Sequence, residues 1–130
     1  MKKQTRIMVD MSTTLFHHGH VRLLKAAANL GYVVVALTTD EEIVISKGYH
    51  PELCYSQRKE ILEAIRYVDE VVPSNWLINE AFLDQHNIQL LVHGEDNCNP
   101  IAPERLVLLP RTKGISSDHI REVIRKSSKP

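Results

Sequence analysis

The chain has 130 residues, the length of one domain, and its 43% apolar content is ordinary for a globular core. Lys plus Arg (16) balances Asp plus Glu (16), so no global field draws it to nucleic acid or a membrane surface, and any anion site must be local. Cys54 and Cys98 lack metal-ligand spacing, and no secretory h-region or bilayer-spanning apolar run is visible; the expectation is a cytoplasmic protein with reduced thiols.

Apolar periodicity alternates between strand and helix along the chain. Arg6–Met11 reads as a buried strand. His18–Leu30 reads as a helix with Val21, Leu24, Ala27 and Ala28 on one face and Gly31 as its stop. The β-branched run Tyr32–Thr38 suits a strand buried on both faces. Thr39–Leu53 reads as an irregular connector, long enough to suggest function. Tyr55–Tyr67 follows as a helix with Ile61, Leu62 and Ile65 inward. Glu70–Val72 is a short strand closed by Pro73. Trp76–His86 reads as a helix, Gln89–His93 as a strand, 97–103 as a loop and Leu106–Leu109 as a strand ended by Pro110. The last helix runs from Ser116 to Arg125 with Ile120, Val123 and Ile124 inward, and residues 126–130 form a frayed tail.

This alternation predicts an α/β fold: a Rossmann-like, mostly parallel sheet of about five strands with helices on both faces. Ligands in such sheets sit at the carboxyl ends of the strands. The polar clusters fall there: His17 to His20, Asp40, the Gly94-Glu95-Asp96 turn, and Arg111-Thr112.

Two stretches carry chemistry. His17-His18-Gly19-His20 stands where a strand hands over to a helix. A helix N-terminus offers unpaired N–H groups and partial positive charge, a glycine admits a phosphate close to the backbone, and imidazoles add donors. A histidine-held metal is the competing reading. Three histidines within four residues seldom converge on one ion without distant partners, so no protein-held metal is expected. The second stretch runs from Arg111 to Asp118, where Ser116 or Ser117 can cap the last helix. Two helix N-termini at one cleft suit a triphosphate. His50, His86, His93 and His119 are structural by default, although His93 ends a strand pointing toward the cleft. Lys47 is either a functional connector residue or a solvated one, and Trp76 either a core anchor or a wall of the acceptor site. Arg66 and Asp69 read as structural.

His17-x-Gly19-His20 resembles the HxGH signature of the nucleotidyltransferase superfamily. The segment from Arg111 to Ser117, Arg-Thr-Lys-Gly-Ile-Ser-Ser, resembles the RTxGIS signature of its cytidylyltransferase branch. Thr39-Asp40-Glu41, the Arg66–Pro73 segment and Trp76 are similar to small bacterial glycerol-3-phosphate cytidylyltransferases, in a likeness running from about Ile7 to Ile124. The resemblance implies a homodimer that transfers CMP from CTP to a small phosphorylated acceptor and releases pyrophosphate. It implies His17 and His20 at the transferring phosphate, Lys47 closing over the phosphates, and Arg111 neutralising the pyrophosphate. It implies Thr13, Thr14, Gly19, Thr112, Ser116 and Ser117 around the triphosphate, and Glu95 and Asp96 near the nucleotide. Arg58, Asp40 and Trp76 are implied at the acceptor, and magnesium is implied as bound through the CTP phosphates.

The chain departs from that pattern in places. Relatives commonly carry Gly-x-Phe-Asp before the histidines, where this chain has Met11-Ser12-Thr13-Thr14 without the aspartate. The Gly-Asp-Asp-Trp segment becomes Gly94-Glu95-Asp96-Asn97, and Asp118 stands where a phosphate-friendly threonine is common. The acceptor therefore stays open among glycerol 3-phosphate, another polyol phosphate, a phosphocholine-like compound and a small phosphonate. An adenylyltransferase, or a nucleotide-binding module without turnover, is the alternative.

Overall fold

Five parallel strands make one sheet in the order β3-β2-β1-β4-β5, in a computed structural model that describes residues 5–110 and 112–127. The strands are β1 (Arg6–Met11), β2 (Tyr32–Thr38), β3 (Glu70–Ser74), β4 (Leu90–Gly94) and β5 (Leu106–Leu109). The helices are α1 (His18–Ala28), α2 (Asp40–Lys47), α3 (Tyr55–Glu63), α4 (Glu80–Gln85) and α5 (Ser117–Ser127). The chain leaves β1 toward β2 and β3, then returns to the other side of β1 for β4 and β5. The order therefore reverses between β1 and β4, and a crevice opens there at the carboxyl ends.

Both sheet faces are covered. Ile7, Val9, Met11, Val33, Val35 and Leu37 pack with Leu24 and Ala27 of α1 and Leu62 of α3. Met8, Val34, Ala36 and Val72 pack on the opposite face with Ile78, Leu83 of α4, Ile88 and Ile101. Alternate residues of each strand thus feed alternate cores.

The structure corrects several expected boundaries. Thr39–Leu53 is not wholly irregular, because Asp40–Lys47 is helical. Thr39 Oγ1 accepts from the Glu42 N–H at 3.4 Å, three acidic residues fill the first turn, and Gly48 closes the helix at φ 78°. A left-handed C-terminal residue favours glycine, and the acids complement the helix dipole. Helix α1 stops at Ala28, before Gly31, and α3 stops at Glu63 rather than Tyr67. Helix α4 begins only at Glu80, where the Asn79 side chain accepts from the Phe82 N–H at 3.0 Å. Pro73 does not end β3; it sits inside that strand, opposite Leu37. Strand β3 lies at the sheet edge, where a missing N–H costs no ladder bond.

Helix α5 departs furthest from expectation. It has no buried residue, and Val123 and Ile124, expected inward, are 49% and 60% exposed. It also continues through Lys126 and Ser127, with Lys126 paired to Glu122 at 3.1 Å.

Candidate functional site

A cleft of about 690 Å³ opens over the carboxyl ends of the strands. Its lining draws on Asp10 and Met11 of β1, Thr38 of β2, His93 and Gly94 of β4, and Leu109 of β5. The first turns of α1 and α5 also face it.

His17 is the N-cap of α1. Its Nδ1 accepts from the Gly19 N–H at 3.1 Å, and Nδ1 of His20 accepts from the His17 N–H at 3.1 Å. The two imidazoles lie with ring centroids 3.9 Å apart. With both Nδ1 atoms acting as acceptors, each neutral ring carries its proton on Nε2. The helix entry therefore sets the tautomers of two rings that line the cleft. Gly19 is required for a reason that its spacing alone does not show: an added Cβ would fall 2.8 Å from Cε1 of the His17 ring. The glycine makes room for the capping histidine.

The α5 entry meets this loop directly. Ser116 Oγ accepts from the His119 N–H at 2.9 Å, the geometry of an N-cap. Ser117 Oγ donates to the Leu15 carbonyl at 2.9 Å and accepts from the Leu15 N–H at 3.3 Å. One serine caps the helix; the other fastens it to the turn before His17.

Arg121, one turn further along α5, lines the cleft. It donates to Thr14 Oγ1 at 2.7 Å, to both Glu52 oxygens at 2.6 and 2.7 Å, and to Asp118 at 2.9 Å. Its guanidinium lies 4.9 Å from the Tyr49 ring centroid. The Arg121 hydrogen bonds hold the Glu52 carboxyl below the usual range and push the guanidinium up. Asp118 thus spends its charge on Arg121 beside the helix entry. Arg121 was not singled out from sequence, although its place four residues after Ser117 is a readable signal.

Lys47 ends α2 and lines the cleft, with Nζ 5.5 Å from the Trp76 ring centroid. Trp76 also lines it, and its backbone N–H donates to Glu42 Oε1 at 2.8 Å. Thr14, Gly19, Asp96, Thr112, Ser116 and Ser117 line it too. Arg111 lies outside the described residues.

Four expected residues are not among those lining the cleft. Arg58 is 1% exposed. It donates to the carbonyls of Leu53, Ser12 and Thr38 at 3.0, 2.7 and 2.8 Å and to Asp40 at 2.7 Å. Asp40 is held in the same knot, accepting from the Tyr55 N–H at 3.1 Å. These two residues brace the loops behind the cleft. Glu95 is exposed beside it. Thr13 is 3% exposed, its Oγ1 lacks a hydrogen-bond partner, and its φ is 43°. A β-branched residue in the left-handed region stores strain, here in the loop between β1 and α1.

A second polar group is built on β1 and β4. His93 Nδ1 lies 2.5 Å from Asp10 Oδ1, and Asp10 Oδ2 accepts from Asn99 Nδ2 at 3.0 Å. Sequence reading passed over Asp10 and Asn99. Asp10 did carry a signal, as a carboxylate near the end of an otherwise apolar strand.

The comparisons with known proteins agree with this architecture. The profile of the family described as cytidylyltransferase-like matches residues 14–123. The chain is 43% identical to glycerol-3-phosphate cytidylyltransferase of Bacillus subtilis (strain 168), covering 85% of this chain and 89% of that protein. It is 34% identical to glycerol-3-phosphate cytidylyltransferase of Staphylococcus aureus (strain NCTC 8325 / PS 47), over 90% of this chain and 92% of that one. It is 31% identical to ethanolamine-phosphate cytidylyltransferase of Arabidopsis thaliana, over 92% of this chain but 32% of that longer protein. In fold it resembles the lipopolysaccharide core biosynthesis protein from Thermoplasma volcanium GSS1, with a TM-score of 0.64 and 17% identity, covering 96% of this chain and 89% of that one. With the profile match spanning both helix entries, the chain belongs to the cytidylyltransferase-like family.

Proposed function

We propose that the chain transfers CMP from CTP to a small phosphorylated acceptor of the glycerol-3-phosphate kind, releasing pyrophosphate. The observation that carries this reading is the meeting of two capped helix entries at one cleft, α1 through His17 and α5 through Ser116. The similarity to glycerol-3-phosphate cytidylyltransferases over most of the chain supports it.

In this reading an anionic phosphate oxygen of the acceptor attacks the α-phosphorus of CTP. A new P–O bond forms, the bond to the β-phosphate oxygen breaks, and pyrophosphate leaves with the electron pair. The nucleophile is already charged, so the chain's task is positioning and charge stabilisation. The Nε2–H groups of His17 and His20 donate to the phosphoryl oxygens as charge builds on them. The α5 entry, with Ser116, holds the outer phosphates, and Arg111 and Lys47 neutralise them. Magnesium bound through the CTP phosphates would help to neutralise their charge. Among the described residues no cluster of three His, Cys, Asp or Glu offers it a protein cage.

We also place the protein in the cytoplasm and as a homodimer. Among the described residues no helix is long and apolar enough to cross a membrane. The exposed Val123 and Ile124 on α5 support self-association. One observation favours a second reading, a nucleotide-binding module without turnover: the chain has Thr14 where the family resemblance implies an aspartate.

The test is pyrophosphate release with magnesium, comparing CTP with ATP. The acceptors are glycerol 3-phosphate, ribitol phosphate, phosphocholine, phosphoethanolamine and 2-hydroxyethylphosphonate. CTP-dependent release with one acceptor is the expected result. CTP binding with silence across the panel supports the second reading, and failure to bind CTP overturns both.

A further inference from the structure

The α1 and α5 entries present N–H groups and hydroxyls, the chemistry of phosphate binding. The corner of the cleft at the ends of β1 and β4 is built differently. Met8 and Leu91 belong to the core on the α4 side of the sheet. By strand alternation, Asp10 and His93 fall on that side too, opposite the core that holds α1. The β1–β4 register runs through Val9 opposite Val92, so Asp10 and His93 come next as neighbours across the strands.

Asp10 is fixed from both sides. Its Oδ1 is 2.5 Å from His93 Nδ1. Its Oδ2 takes the Asn99 amide, and Asn99 is itself buried and held by the Ile78 N–H on its Oδ1 at 2.7 Å. A carboxylate that accepts at both oxygens places the shared proton on His93 Nδ1. This fixes the orientation of the imidazole, whose Nε2 lies 3.8 Å from Asp96 Oδ1. His93, Asp10, Asp96 and Asn99 all line the cleft. Two carboxylates flanking an imidazole repel a phosphate. With the proton on Nδ1, the Nε2 lone pair and the Asp96 carboxylate both accept, so they suit an uncharged hydrogen-bond donor, and a hydroxyl is one.

We propose that His93, held in place by Asp10, reads a hydroxyl group of a substrate in this cleft by accepting from it at Nε2, with Asp96 placed to accept from a neighbouring hydroxyl. Asp10 is then a positioning residue acting through His93. The inference rests on the nucleotidyl-transfer reading above. The hydroxyl has two sources, the ribose of CTP or the carbon chain of the acceptor.

The experiment compares wild type with His93→Leu, His93→Gln and Asp10→Asn, each first shown by thermal melting to fold. One arm measures kcat/KM for CTP against 2′-deoxy-CTP. The other measures it for glycerol 3-phosphate against propyl phosphate. A hydroxyl bonded to such a pair gives wild type a preference of about tenfold to a hundredfold for the hydroxylated member. In His93→Leu that preference collapses toward one, in the first arm if the ribose is read and in the second if the acceptor is. His93→Gln keeps a hydrogen-bonding end and restores part of it, and Asp10→Asn weakens it without abolishing turnover. Preferences unchanged in both arms overturn the inference, whatever happens to the overall rate. The same pairs are titrated without turnover by the fluorescence of the single tryptophan, Trp76. A wild type that never releases pyrophosphate therefore removes the transfer reading, while the binding ratios still decide the hydroxyl site.

Discussion

The Arg58 guanidinium lies 2.7 Å from the Asp40 carboxylate and turns its other N–H groups onto the Leu53, Ser12 and Thr38 carbonyls. The pair ties the ends of β1 and β2 to the entry of α3. The resemblance implies both residues at the acceptor, and the structure uses them to hold backbone. Arg58→Met leaves the buried carbonyls without their donor, while the Asp40 side chain, 40% exposed, turns to water, so the expected loss is about 1–3 kcal/mol. Urea denaturation measures it. Unchanged stability with a raised acceptor KM would return Arg58 to the substrate.

His17 has two jobs that one substitution confuses. His17→Ala removes both the N-cap on Gly19 and the Nε2 donor. It is expected to cost about 1 kcal/mol of stability and roughly a hundredfold or more in kcat. His17→Asn restores a capping side chain but cannot place a donor where Nε2 stands. The expected result is near wild-type melting with kcat still depressed. Recovery of kcat in His17→Asn would reduce His17 to a cap.

Most of the fold was legible because the strands are apolar runs bounded by polar and turn residues, with the β-branched run of β2 the plainest. Strands β1, β2 and β5 have the bounds read from sequence. Helix α2 was missed because Ile43-Val44-Ile45 is contiguous and β-branched, which weakens the helical period. Its caps, Thr39 and Gly48, were nonetheless in plain view. The inward face of α5 was misread for the opposite reason. Ile120, Val123 and Ile124 have good helical spacing, but period alone cannot tell a face turned to the core from one left exposed. At the site, HxGH and RTxGIS pointed to the two helix entries that meet. The local sequence around Arg58 gave no hint of its burial, since the carbonyls it serves come from three separate segments. The Asp10–His93 contact spans 83 residues, and only the β1–β4 pairing brings it together.

Lys47 and Trp76 supply a direct optical test of closure at the end of α2. The ammonium sits 5.5 Å from the indole centroid, so any nucleotide that draws Lys47 onto its phosphates changes the surroundings of the ring. CTP with magnesium is expected to shift Trp76 emission in the wild type. Lys47→Ala is expected to bind CTP more weakly, by about tenfold for one exposed charge contact, with an unchanged melting temperature. Wild-type kinetics in Lys47→Ala would count against any role in closure.

Glu52 and Arg121 fasten the segment after α2 to α5, and their pairing sets a pH dependence whose sign can be stated in advance. Hydrogen bonding to Arg121 lowers the Glu52 carboxyl below the usual carboxylate range. A carboxyl depressed on folding stabilises the protein above its unfolded value, and that stability is lost as pH falls through the folded one. The Glu52 side chain is 44% exposed, so solvent screening keeps the gain to about 1 kcal/mol or less. Denaturation of wild type and Glu52→Gln across pH should therefore show a constant gap near neutrality that closes below about pH 4.5. The same substitution leaves Arg121 bound to Thr14 and Asp118 but without its bidentate partner. If Arg121 must exchange Glu52 for a CTP phosphate, Glu52→Gln lowers the KM for CTP while it lowers stability. A stability gap that is absent at pH 7, or that widens in acid, would show that the pair contributes nothing to holding the two segments together.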